Sequence, residues 1–149
     1  MRRLRGDSGT TTVEFALVLP TFLVLMGAGA YFGWYVHVNG QLERAAGRAA
    51  RYAAVPTTSG TYGFCPSQVL TVVNNELVSE RATAADITVQ DSAGTLAAGA
   101  ACTGTPKGWV RVTVAHSFSN PFTSLVALIT PVSSTITLTG TAQAPVESP

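Results

Sequence analysis

The stretch GTTTVEFALVLPTFLVLMGAGAYFGWYV, Gly9 to Val36, decides the architecture of this chain. From Phe15 to Val36 it runs for 22 residues without a charged side chain. At about 1.5 Å of rise per residue a helix of that length covers about 33 Å, against a hydrocarbon core roughly 30 Å thick. The run therefore reads as one membrane-spanning helix. Trp34 and Tyr35 close its far end, where amphipathic rings favour an interface, and Arg2, Arg3 and Arg5 precede its near end. The whole chain fits this reading: 149 residues is about one domain, and 46% hydrophobic with 11% charged is apolar for a soluble one.

Outward from the apolar run, the helical pattern continues. NGQLERAAGRAARYAAV, Asn39 to Val55, is rich in helix formers, with Ala45, Ala46, Ala49, Ala50 and Ala53 on one small-residue face, until Pro56 stops it. Arg44, Arg48 and Arg51 fall at spacings of four and three and form a single stripe. That stripe reads as a solvated or headgroup-facing surface, or as a contact for carboxylates of a neighbouring subunit. Pro20 removes the backbone bond to the carbonyl of Ala16, so a bend or local loosening is expected there. Gly29 and Gly33 are four apart in the apolar run, a spacing that lets a second helix approach closely; the plainer reading is two tolerated glycines.

The remainder is predicted to be a small α+β domain, residues 57–149, following a long helix over residues 10–55. SQVLTVVNNELVSERA repeats apolar residues (Val69, Leu70, Val73, Leu77, Val78) at helical spacing. Asp86 to Gln90 alternates as a strand, GWVRVTVAHSF alternates most clearly, and VSSTITLTGTAQA sets Thr135, Thr137 and Thr139 against Ile136 and Leu138. The expectation is a three-stranded, mainly antiparallel sheet with the amphipathic helix over its apolar face.

Cys65 and Cys102 are the only cysteines, in a Thr/Ser/Gly/Ala-rich region. This reads as an exported domain with one disulfide, which would restrict the unfolded chain by about 4 kcal/mol; two free buried thiols is the alternative. No metal site is expected, because two cysteines and two distant histidines lack the paired spacing zinc needs. No hydrolase, metalloprotease or phosphate-loop motif is present, and Glu76, Glu80, Asp86 and Asp91 are not paired by any catalytic spacing. His37 and His116 read as structural polar residues. The chain is therefore expected to be non-enzymatic, with no cofactor, no small-molecule substrate and no nucleic-acid partner.

The chemistry that stands out is N-terminal. A basic tail, Gly9, the residues TTTV, then Glu14 and Phe15 opening an apolar helix resembles the signal of type IV prepilins, in which a membrane peptidase cuts after the glycine. The longer run VEFALVLPTFLVL with QLERAAGRAARYAA resembles the TadE-like family, minor pilin-like proteins of the tight-adherence (Flp) pilus machinery. The resemblance covers the first 55 residues; further on only the order of the strands is similar.

It implies a leader over residues 1–9, a processing site at Gly9 and Thr10, and recognition or assembly roles for Glu14 and Phe15. Its partners would be the prepilin peptidase, other pilins or pilus-assembly membrane proteins, and the lipid bilayer. The implied location is a bacterial cytoplasmic membrane, crossed once, with the N-terminus cytoplasmic and the domain outside.

Physical chemistry supplies a reason for Glu14. A charge at the bilayer centre costs about 2.5–3.5 kcal/mol and less near the interface, so pairing Glu14 with the new amine of Thr10 in an adjacent subunit would reward one helix register. Alternatively Glu14 reaches headgroups or water.

Two other classes remain open at this point. RRLR, the apolar run and Ala28-Gly29-Ala30 also satisfy an ordinary secretory signal, giving a secreted binding protein that begins at Tyr31. The chain could also be an unprocessed bitopic membrane protein beginning at Met1.

Overall fold

The computed structural model describes residues 8–56, 62–77, 81–96, 105–120, 123 and 133–147. Their element order is α1 (Ser8–Ala54), α2 (Pro66–Glu76), β1 (Ile87–Asp91), β2 (Gly94–Leu96), β3 (Trp109–Ser119) and β4 (Thr135–Pro145), with a short 3-10 turn at Ala84–Asp86 before β1. The chain divides into two compact units, Met1–Val36 and His37–Pro149.

The first unit holds the beginning of α1, a helix of 47 residues whose helical assignment is unbroken through Pro20. This is the one helix among the described residues long and apolar enough to cross a membrane by length and composition, and none of its most apolar window is buried. Leu17 is 74% exposed and Phe32 67%. Such a surface is far more apolar than an isolated soluble helix tolerates, because each apolar square ångström left in water forgoes about 25 cal/mol. Tyr31 and Trp34, one turn apart, have ring centroids 6.2 Å apart.

The second unit is built on a four-stranded antiparallel sheet of order β2-β1-β3-β4. The expected sheet had three strands; the fourth is β2. Asp91 accounts for it: its Oδ1 accepts from the amides of Ala93 (2.8 Å) and Gly94 (3.0 Å), and its Oδ2 from that of Lys107 (3.1 Å). The carboxylate thus closes a tight turn, helped by Gly94 at φ +147, and sends Gly94–Leu96 back along β1.

β3 and β4 pair along their full 11 residues, from Trp109↔Pro145 to Ser119↔Thr135. Alternation dictates the faces. Val110, Val112, Val114, His116 and Phe118 of β3, Ile87 and Val89 of β1, and Leu138 and Ala144 of β4 are buried. Arg111, Thr113, Gln143 and the β4 threonines lie on the other face, where Arg111 stacks 4.9 Å from the Trp109 ring and donates to Gln143 (3.0 Å).

Helix cover comes from two elements. α2 starts with Pro66 at its first turn, where a missing N–H is harmless, and buries Val69 and Val73. It ends at Glu76, two residues short of the Val78 included in the expected repeat. Leu77 caps it, its amide bonded to the Val73 carbonyl at 3.1 Å.

The larger cover is the second part of α1. Val38, Leu42, Ala45, Ala46, Ala49, Ala50, Ala53 and Ala54 are each at most 2% exposed. Small side chains on the helix let its backbone come close, and β4 answers with Gly140: a Cβ there would stand 2.6 Å from the Leu42 carbonyl atoms. At the end of α1 the Ala54 carbonyl accepts from the Glu147 amide (3.2 Å), and Tyr62 Oη donates to the Glu147 carbonyl (2.9 Å). Most of the segment between β3 and β4, residues 121–122 and 124–132, lies outside the described residues.

Candidate functional site

The N-terminal determinants all lie on α1. Gly9 and Thr10 fall in its first turn, Glu14 and Phe15 one turn further on, both exposed, Phe15 at 64%. Neither side chain is buried among the described residues.

Gly29 and Gly33 sit further along the same helix. A Cβ at either would meet nothing within 4 Å. Glycine is therefore not demanded there by any contact among the described residues, and Gly29 contrasts in this with Gly140.

The arginine stripe resolves into three different environments. Arg48 forms an ion pair with Glu76 of α2, so one carboxylate partner comes from within the chain. Arg44 Nε donates to the carbonyl of Gly40 at 2.9 Å, and Arg51 is exposed in the last turn of α1. His37, Gln41, Arg44 and Glu76 together line a cavity of about 270 Å³. The sequence carried a signal for this grouping that the arginine spacing alone missed: His37, Gln41 and Arg44 follow the i, i+4, i+7 rule of one helix face.

His116 has a structural place. It lies on the buried face of β3, its Nδ1 is 3.0 Å from Asp86 Oδ2, and its ring meets Phe118 edge-on at 4.7 Å. Asp86 Oδ2 also accepts from the Thr83 amide (2.7 Å) and hydroxyl (3.0 Å), the reciprocal cap of the 3-10 turn. Partial burial pushes the Asp86 carboxyl upward, but the Thr83 amide, the His116 ring and the Thr83 hydroxyl outweigh it. They hold it below its ordinary value of 3.8.

A stability consequence follows. The folded chain releases the Asp86 proton more readily than the unfolded chain does, so the stabilisation is complete above the ordinary value and is lost as pH falls through the lower folded one. Thermal melts of the full-length protein in detergent between pH 6 and pH 3 should show a steeper acid loss for wild type than for Asp86→Asn. Parallel profiles would remove Asp86 from the acid response.

Of the cysteines, Cys65 is fully buried at the start of α2, and no described cysteine is free. Cys102 lies outside the described residues.

These features define a class: a helix that is apolar and exposed in its first part and continues into an antiparallel α+β domain, with an exposed Glu-Phe pair near its start. Residues 9–51 match the family model described as TadE-like protein, in agreement with the resemblance carried by the N-terminal residues. The matched segment takes in Gly9, Thr10, Glu14, Phe15, Gly29 and Gly33 and ends before the domain's strands. No curated protein and no solved structure matches the chain.

Proposed function

We propose that this chain is a non-enzymatic, pilin-like component of tight-adherence pilus assembly or of a related secretion apparatus. It is made as a precursor with residues 1–9 as leader, cut by a prepilin peptidase between Gly9 and Thr10, and held by α1 in the bacterial cytoplasmic membrane with the N-terminus cytoplasmic and the α+β domain outside. One observation carries the reading: the TadE-like match spans Gly9, Glu14 and Phe15 in the first turns of a helix whose most apolar part is unburied.

Each part of that segment has a task in this scheme. Gly9 offers the peptidase a scissile bond with no side chain before it. The exposed apolar surface of α1 stays in lipid before assembly and packs on other helices after it, and Gly29 and Gly33 permit the close approach. Glu14 selects the register of packing through the amine of Thr10 on a neighbouring subunit. In the domain, Cys65 pairs with Cys102, stapling the entry to α2 to the segment before β3.

The scheme is tested by processing. Co-expression with the cognate prepilin peptidase should shorten the wild-type chain by residues 1–9, and Gly9→Val should leave it full length in the membrane fraction. Cleavage of Gly9→Val at the wild-type rate would contradict a peptidase pocket that excludes a side chain.

A further inference from the structure

The cavity beside His37 has a chemistry that the assembly scheme leaves unused. Arg44 commits Nε to the Gly40 carbonyl, which fixes the guanidinium in place while its remaining N–H groups stay available. Gln41 Nε2 lies 2.8 Å from His37 Nε2; donating there, it leaves the ring proton on Nδ1. Gln41 Oε1 is buried and has no hydrogen-bond partner among the described residues, so it calls for a donor. Glu76 also lines the cavity, but its charge is matched by Arg48. The local balance is cationic, set by Arg44. An occupant that suits this set has an anionic phosphate for Arg44 and His37 and a hydroxyl to donate to Gln41.

Position says where such a group comes from. His37 is the residue immediately after the apolar run, and His37 to Arg44 covers about 10 Å of helix, enough to reach through the roughly 5–7 Å of one headgroup layer. We infer that His37, Gln41 and Arg44 bind the phosphate of a hydroxyl-bearing anionic lipid headgroup, such as that of phosphatidylglycerol, in the leaflet on the domain's side. This rests on the membrane anchoring proposed above. Bound there, the lipid ties the start of the domain to the bilayer surface by hydrogen bonds that a zwitterionic choline headgroup, with no hydroxyl, cannot complete.

The test uses the full-length protein in detergent, with bound lipid counted by native mass spectrometry after addition of phosphatidylglycerol or phosphatidylcholine. Wild type should retain phosphatidylglycerol about tenfold better than Arg44→Gln, as expected for loss of a charge-assisted bond, and Arg81→Gln, an exposed arginine elsewhere, should behave as wild type. Far-UV circular dichroism and a thermal melt confirm that the variants are folded. A second arm titrates inorganic phosphate without lipid. Heat protection of wild type but not Arg44→Gln by millimolar phosphate, with no lipid retained, assigns the cavity to free phosphate and overturns the lipid source. Equal phosphatidylglycerol retention by wild type and Arg44→Gln overturns the site. Failure of the anchoring itself is seen separately, as a chain that remains in the aqueous fraction before any lipid is added.

Discussion

Gly140→Val is expected to lower the melting temperature of the domain by roughly 10 °C or more. The first added carbon would stand 2.6 Å from the carbonyl carbon and oxygen of Leu42 and 2.9 Å from the Glu43 nitrogen. These are backbone atoms of a helix and cannot swing aside as a side-chain tip does. Either α1 lifts off β4, exposing the buried alanine face, or the strand distorts. Overpacking of this kind costs about 1–3 kcal/mol and sometimes more, which is a large part of the 5–15 kcal/mol that holds a domain together.

Gly140→Ala should show the same effect in smaller measure. Gly47 is the control. It lies on the same helix, a Cβ there meets nothing within 4 Å, and Gly47→Ala should be neutral or stabilising by up to about 1 kcal/mol through helix propensity. Circular dichroism melts of the three variants check this, and a Gly140→Val protein melting with wild type would show that α1 does not pack on β4 as described.

Glu14→Gln is expected to abolish incorporation into pilus assemblies while leaving insertion and cleavage largely intact. The substitution keeps size and hydrogen bonding but removes the charge. It makes the helix more apolar, which favours membrane residence, and it deletes the attraction that selects one packing register, leaving a buried amine without its counter-ion. Fractionation, cleavage and pull-down of pilus components from cells carrying the variant read the three steps separately. Normal incorporation would return Glu14 to a headgroup-facing role. Loss of cleavage would give it to peptidase recognition.

The parts of this fold that were legible in the sequence are those with a long or strict period. The uncharged run from Phe15 to Val36 and the alanine face after it foretold α1, and the alternation of WVRVTVAHSF foretold β3 with its buried side. What escaped notice depends on contacts between elements. β2 is three residues long, too short for any period, and its cause is the side chain of Asp91 reaching three amides. Gly140 looks like a weak point in a threonine-rich strand until Leu42 is seen against it. The arginine stripe gave the right helix face but not its division, because Glu76 comes from another element. At the N-terminus, Gly9, Glu14 and Phe15 were singled out from their order alone, and their proposed partners are other molecules.

The most direct test of the account is the N-terminal residue of the mature protein, read by intact mass and Edman sequencing of material extracted from native membranes. The account predicts a chain that begins at Thr10, with Glu14 as its fifth residue. A chain beginning at Tyr31 would mark an ordinary secretory signal, and one that retains Met1 an unprocessed membrane protein; either result would contradict the assignment of a pilin-like precursor.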